Sequence, residues 1–220
     1  MIQKPDFKEV SLILFDFDGT ISDSHEAAIE VYNSLSDRFG HRKVDKTEVS
    51  TLRNRTTKEV FEILGLSPLK LPFLVREARK KLQLRINTIT PFEGMAEALA
   101  ELKRQGYRLG ILTSNSQDNV LQFLKVHGMD VFDFVHSGAS IFGKAKVMRN
   151  LLSKQGISAS QVAYVGDETR DVEAAKAAGI RTISVTWGFN SRQILETVNP
   201  DSILDSPLEL AKLFTKIIPE

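Results

Sequence analysis

The stretch LILFDFDGT, Leu12–Thr20, decides the fold that we expect for this chain. Its four apolar residues, Leu12–Phe15, predict a short buried strand, and Asp16 and Asp18 follow where the Gly-Thr pair predicts a turn. Ligands of open parallel α/β sheets bind at the carboxyl ends of the strands, near the point where the strand order reverses. Two carboxylates one residue apart repel each other unless a cation lies between them. The pair therefore indicates a site for a hard, oxygen-binding metal such as Mg²⁺.

Two further apolar runs end in polar residues of similar kinds. Leu109–Leu112 is followed by a Thr-Ser-Asn sequence at 113–115, and Val162–Val165 is followed by GDETRD at 166–171. Short apolar runs bounded by turn residues are typical of strands that are buried in a parallel sheet. We expect the three strands to bring carboxylates and hydroxyls to one edge of that sheet.

The order of these motifs resembles that of the haloacid dehalogenase-like hydrolase superfamily. Its motifs are DxDGT, a Ser or Thr after a hydrophobic strand, a Lys, and GDxxxD, and this chain has DFDGT at 16–20 and GDETRD at 166–171. The resemblance covers essentially the whole chain and points to the phosphoglycolate phosphatase-like branch, whose helical cap is also seen in β-phosphoglucomutases. It implies an α/β fold, with a Rossmann-like parallel sheet, helices on both faces, and a small helical cap inserted after the first strand.

The resemblance also implies roles for the acidic residues. Asp16 is the expected nucleophile, and Asp18 is the expected general acid and base. Asp16, the backbone carbonyl of Asp18 and Asp167 are the expected Mg²⁺ ligands. Asp167 and Asp171 lie four residues apart across a predicted strand-to-helix junction, so the first can reach a metal and the second can brace the site from the helix start.

The residues expected to bind phosphate follow the second strand and precede a later helix. Thr113 or Ser114 is the motif hydroxyl, and Asn115 belongs to the same loop. Lys144 follows Gly143 and is the expected motif lysine, which would lie between the nucleophile and a phosphoryl oxygen. The Lys-Pro pair of phosphoglycolate phosphatases is absent here and the interval to GDETRD is short, so Lys146 is the alternative.

Helical periodicity divides the chain into a core and a cap. Apolar residues spaced by three and four predict a helix from His25 to about Phe39, capped by Asp23 or Ser24 and ended by Gly40. Helical spacing continues to Arg85 without a strand-like run. We expect a helical cap over 23–87 and a catalytic core formed by 1–22 and 88–220.

Two groups of basic residues lie in the predicted cap. Arg53 and Arg55 belong to a predicted loop between helices, where a guanidinium can bind a second anionic group of the substrate in a bidentate manner. A solvent-facing role is equally compatible with their spacing. The basic run Arg76–Lys81 is expected to form a solvated helix face.

Composition limits the partners of the chain. Its 220 residues hold 29 basic and 28 acidic side chains, so charge does not favour nucleic acid or an anionic membrane over a small molecule. It has no cysteine, which excludes disulfides and thiolate chemistry and is compatible with a cytoplasmic location. No window approaches the ~18 apolar residues of a membrane-spanning helix. The four histidines lack metal-ligand spacing.

These observations predict a Mg²⁺-dependent phosphatase that hydrolyses a small phosphorylated metabolite through an aspartyl-phosphate. A sugar-phosphate mutase uses the same groups, and a non-catalytic scaffold of the same fold is a further alternative. Dehalogenase chemistry is disfavoured, because that chemistry replaces the second acid of DxD in this family and Asp18 is present.

Overall fold

A single parallel sheet forms the centre of the molecule. The computed structural model describes residues 7–137 and 143–214. The strands are β1 (Leu12–Phe15), β2 (Arg108–Leu112), β3 (Phe134–His136), β4 (Val162–Gly166), β5 (Arg181–Val185) and β6 (Ser202–Leu204). All paired strands are parallel, in the order β3-β2-β1-β4-β5-β6. The order reverses between β1 and β4, which confirms the predicted α/β fold and gives the sheet a crevice for ligands at this point.

Helices account for most of the remaining secondary structure. They are α1 (His25–Phe39), α2 (Val49–Leu52), α3 (Thr57–Ile63), α4 (Leu71–Gln83), α5 (Met95–Arg104), α6 (Gln117–Val126), α7 (Lys144–Gln155), α8 (Thr169–Ala177), α9 (Arg192–Thr197) and α10 (Leu208–Leu213). Helices α1 to α5 lie between β1 and β2 in the chain, and the others connect or follow the later strands of the sheet.

Strand β1 is buried on both faces because its side chains alternate between two apolar clusters. Ile13 and Phe15 pack on one face with residues of α5 and α6, and Leu12 and Leu14 pack on the other with residues of α7 and α8. All four side chains are at most 1% exposed. A strand covered by helices on both faces is apolar at every position, which explains its unbroken apolar run.

Helix α1 has the predicted bounds but not the predicted N-cap. Gly40 adopts the left-handed conformation, with φ 70°, and its N–H donates to the carbonyl of Ser36, which ends the helix. Ser24 occupies the N-cap position, yet its side chain makes no capping hydrogen bond. The reason is its backbone, since ψ is 6° and a capping side chain requires an extended residue.

Two other elements differ slightly from the pattern-based expectation. The strand expected within 131–135 lies at Phe134–His136. The helix expected over 208–217 spans Leu208–Leu213, and positions 215–217 lie outside the described residues. The 23–87 boundaries of the cap stay a prediction. Within the described ranges, no helix is both long and apolar enough to cross a membrane.

Candidate active site

The candidate site lies at the carboxyl edge of the three central strands. Asp16 follows β1, Thr113 follows β2, and Asp167 follows β4, while Lys144 is the first residue of α7. Each of these side chains belongs to a buried residue, with exposure of 3% or less. The carboxyl ends of parallel strands lie at the same edge of the sheet, so residues that are distant in sequence meet there.

Lys144 is the centre of the site's polar network. Its Nζ donates to Asp16 Oδ2 at 2.6 Å, to Asp171 Oδ1 at 2.6 Å and to the Tyr164 hydroxyl at 3.0 Å. Burial opposes the charged form, but the carboxylates of Asp16 and Asp171 outweigh it and raise the pKa of Lys144 well above its ordinary value. Lys146 is exposed to solvent. Of the two lysines weighed from the sequence, the structure therefore places Lys144 beside Asp16.

The two acids of DFDGT lie in different environments. Asp16 Oδ1 accepts a hydrogen bond from Phe17 N at 2.8 Å, and its Oδ2 faces the lysine. Both Asp18 oxygens accept from Asn115 Nδ2, at 3.0 and 3.2 Å. Burial raises the pKa of the Asp18 carboxyl. Asp16 beside an ammonium suits a nucleophile, whereas a raised pKa suits Asp18 as a proton donor.

The backbone at Gly19 and Gly188 approaches the side chain of Asp167 closely. Its oxygens accept from Thr20 Oγ1 at 2.8 Å and from Phe189 N at 2.7 Å. A Cβ at Gly188 would lie 2.1 Å from Asp167 Cβ, and a Cβ at Gly19, where φ is +76°, would lie 2.3 Å from Asp167 Oδ2. Both positions therefore require glycine. Burial raises the pKa of Asp167 well above its ordinary value, so a nearby cation would favour the ionised form.

A second set of carboxylates lies around Asp16. One carboxylate oxygen each from Asp16, Glu168 and Asp171 lie within 4.8 Å of one another. Burial opposes ionisation of Glu168, but the neighbouring Arg170 guanidinium outweighs it and lowers the pKa of Glu168 to about 2. Burial raises the pKa of Asp171 to about 6. An all-oxygen donor set of this kind suits a hard divalent cation.

The loop after β2 offers hydroxyl and amide groups. Thr113 is fully buried, and its Oγ1 accepts a hydrogen bond from Asn115 N at 3.0 Å, so its own proton can be donated to a ligand oxygen. Ser114 is half-buried. The loop leads directly into α6, whose N-cap Ser116 accepts from Asn119 N. Backbone N–H groups at such a helix start favour an anion.

Both arginines of the predicted cap loop lie at the junction with the core. Arg53 Nη2 donates to Thr186 O at 2.9 Å, and Asn190 Nδ2 donates to Arg55 O at 3.0 Å. The Arg55 side chain is 49% exposed and lies 3.8 Å from Glu59. Both arginines line a cavity that also contacts Asp18.

One member of the basic run on α4 is not simply solvated. Arg76 and Lys80 are exposed, as expected, whereas Arg79 is half-buried. Burial lowers the pKa of Arg79, and the Asp18 carboxylate opposes that shift. The carbonyl of Arg79 also accepts from Asn119 Nδ2 at 3.3 Å. The expected solvated face is therefore wrong for Arg79, because the docking of α4 on α6 brings it toward the site.

Several residues of the network were not identified from the sequence. Tyr164 contacts Lys144, Thr57 Oγ1 of the cap donates to Glu168 Oε2 at 2.7 Å, and Asn119 Nδ2 donates to Asn115 Oδ1 at 2.9 Å. Glu168 carried a usable signal, since it lies inside GDETRD. The others carried none, because their contacts depend on how the helices pack on the sheet and on one another.

Comparison with known proteins decides the family. Residues 13–185 match the family model for haloacid dehalogenase-like hydrolases. This chain belongs to that family. It is an enzyme of the phosphoglycolate phosphatase-like branch, as its motifs predict, because a phosphoglycolate phosphatase matches nearly its whole length at 36% identity.

Similar proteins match nearly the whole chain. The phosphoglycolate phosphatase of Synechococcus elongatus is 36% identical, in an alignment covering 94% of this chain and 98% of that protein. The pyrophosphatase PpaX of Bacillus velezensis is 30% identical, with 92% and 95% covered. A haloacid dehalogenase-like hydrolase from Streptococcus pneumoniae has a similar structure, with a TM-score of 0.76, 24% identity, and coverage of 94% and 99%. That structure supports the fold.

Proposed function

We propose that this hydrolase is a Mg²⁺-dependent phosphatase that cleaves a small phosphoric monoester through an aspartyl-phosphate on Asp16. The contact between Lys144 Nζ and Asp16 Oδ2, at 2.6 Å in a buried site, carries the proposal. The buried ammonium offsets the negative charge of the attacking carboxylate, and it can also neutralise an incoming phosphoryl oxygen. Asp18, two residues after Asp16, supplies the proton that a leaving alkoxide needs.

Two steps follow from these groups. An Asp16 oxygen forms a bond to phosphorus while the bond between phosphorus and the leaving oxygen breaks, and the Asp18 proton passes to that leaving oxygen. Asp18, now ionised, then takes a proton from water as the water oxygen attacks phosphorus. The acyl-phosphate bond breaks, and Asp16 and inorganic phosphate are released.

The other residues hold the phosphoryl group and the metal. Thr113, Ser114, Asn115 and Lys144 are the proposed phosphate ligands, and Asp171 braces Lys144 at 2.6 Å. The proposed metal ligands are Asp16, the Asp18 carbonyl and Asp167. Mg²⁺ at this position would supply positive charge to the transferring phosphoryl group. Carboxylate oxygens of Asp16, Glu168 and Asp171, which lie within 4.8 Å of one another, support a cation beside Asp16.

The substrate is a small phosphorylated metabolite, and Arg53 and Arg55 are the proposed contacts to a second anionic group. Phosphoglycolate, which names one relative, is such a compound. Nucleic acid and membranes are not proposed partners, since the charge is balanced at +1. A chain without cysteine is compatible with the cytoplasm, which is the proposed location.

Turnover of phosphate esters by the purified protein tests the proposal. We expect release of inorganic phosphate from an aryl phosphate and from phosphoglycolate when Mg²⁺ is present, and none from Asp16→Asn. The same assay distinguishes a mutase, which would form product sugar phosphate and release little phosphate. A wild-type protein that binds phosphate but turns over no ester would instead indicate a non-catalytic scaffold.

A further inference from the structure

A cavity of about 430 Å³ lies between the helices of residues 25–83 and the core. Asp18 forms part of its wall, together with Glu168 and Arg170 of the motif after β4. A volume in the range of about 300–1,000 Å³ is typical of sites for drug-sized ligands. The cavity therefore extends from the reacting groups and has room for far more than a two-carbon ester.

The walls of this cavity are mainly apolar where α1, α3 and α4 form them. The apolar lining residues of these three helices are Ala28, Ile29, Val31, Val60, Phe61, Leu71, Leu74, Val75, Ala78 and Leu82. Val60, Phe61 and Val75 line the cavity and are only partly buried. An apolar wall of this kind binds a hydrocarbon group in preference to a charged one.

The charged lining residues lie at the end next to the core. Arg53 reaches the core at Thr186, and Glu168 is paired with Arg170. Among the described residues that line the cavity, none of those from α4 carries a charge. The cavity thus has one polar end at Asp18 and an apolar remainder.

The helices leave this space unfilled although filling it would stabilise them. Their fully buried cluster consists of Val31, Leu35 and Leu74, with partly buried neighbours such as Tyr32 and Ala78. A cavity in an apolar core costs stability in proportion to its volume. Binding of an apolar group in this space would offset that loss of stability.

We propose that the preferred substrate is a phosphate monoester whose leaving group carries an apolar alkyl or aryl body, and that this body occupies the cavity. The inference rests on the proposed function, because the general acid must contact the leaving oxygen. Asp18 faces the cavity, so the group attached to that oxygen extends into it. Arg53 and Arg55 at the polar end can bind the carboxylate of phosphoglycolate, but its two carbons would leave the apolar walls without a partner.

A series of straight-chain alkyl phosphates tests the proposal with the wild-type protein. We expect kcat/KM to rise by about fourfold per added methylene, the factor that corresponds to ~0.8 kcal/mol per buried CH₂, from ethyl to hexyl phosphate. We also expect hexyl phosphate to exceed phosphoglycolate. A flat series, or a higher kcat/KM for phosphoglycolate than for every alkyl ester, would overturn the inference while leaving the phosphatase proposal intact.

Ala78→Leu narrows the cavity from α4 and provides a second test. We expect it to end the chain-length gain early, so that the ratio of kcat/KM for hexyl to butyl phosphate falls at least fivefold. Ala100→Leu, on the exposed side of α5, is the matched control and should keep the wild-type ratio. An unchanged ratio in Ala78→Leu would place the alkyl group elsewhere and contradict the proposal. Thermal unfolding of both variants shows that they are folded.

Binding of non-hydrolysable alkylphosphonates gives a result that does not depend on turnover. We expect hexylphosphonate to bind the wild-type protein at least tenfold more tightly than methylphosphonate, as measured by calorimetry. Equal affinities would overturn the inference even for an inactive preparation. Absence of turnover with every ester, combined with tighter binding of hexylphosphonate, would refute the phosphatase proposal and retain the apolar site.

Discussion

Replacement of Lys144 by Gln should affect both stability and activity. The ammonium is 1% exposed and lies 2.6 Å from carboxylate oxygens of both Asp16 and Asp171. Breaking a buried ion pair leaves an uncompensated charge and costs ~3–5 kcal/mol. For a protein of this length, ~2–4 °C of Tm is lost per kcal/mol, so Tm should fall by ~6–20 °C. Loss of one transition-state donor should also lower kcat by at least ~10²-fold.

A double-mutant cycle separates the charge effect from loss of packing. Asp171→Asn in the Lys144→Gln background removes one unpaired carboxylate, so the double variant should lose less stability than the two single variants together. Urea unfolding monitored by circular dichroism, with parallel phosphate-release kinetics, provides both quantities. Lys146→Gln is the matched control, since Lys146 is exposed, and it should change stability by less than ~0.5 kcal/mol. A Lys144→Gln protein with wild-type Tm, or with kcat within tenfold of wild type, would refute this reasoning.

Three further variants or conditions test separate parts of the site. Exhaustive chelation should abolish turnover and Mg²⁺ should restore it. Excess Ca²⁺ should inhibit, because its longer and more numerous bonds can engage both oxygens of Asp16. Full turnover after chelation would contradict the requirement for a metal. Gly188→Ala should weaken Mg²⁺ affinity at least tenfold by titration of activity, because its Cβ would lie 2.1 Å from Asp167 Cβ; unchanged affinity would show that Asp167 is not a ligand. Thr57→Val removes the 2.7 Å hydrogen bond to Glu168. It should raise KM by about tenfold, since a hydrogen bond to a charged group contributes ~1.5–3 kcal/mol. An unchanged KM would show that this contact does not hold the cap.

The central strand and the acids that follow it could be predicted because the signal is local. Leu12–Phe15 is apolar throughout since both faces of β1 are covered, and the acids follow at the strand end. Lys144 was placed by the order of motifs, and the structure brings it to Asp16 over 128 positions of the chain. Parallel topology makes such convergence predictable once the strands are identified.

Contacts that depend on helix packing could not be predicted. Thr57 and Glu168 are separated by 111 positions, and no periodicity links them. The expected solvated face on α4 was wrong for Arg79 because the orientation of that helix against α6 decides which residues face the core. The cavity beside Asp18 is a volume left by packing, and the same apolar spacing would also describe a filled bundle. Ser24 failed as a side-chain cap because its ψ value of 6° depends on the entry from the preceding loop.

The phosphorylated residue itself tests the central claim most directly. Asp18→Asn should retain the nucleophile but lack the acid and base, so an aryl phosphate, whose phenolate departs without a proton, should label the protein and the acyl-phosphate should persist. Mass spectrometry after brief exposure should locate one phosphate on Asp16, and none should be found in Asp16→Asn. Phosphate on residue 18 of the wild-type protein, or a labelled Asp16→Asn protein, would contradict the assignment of the nucleophile.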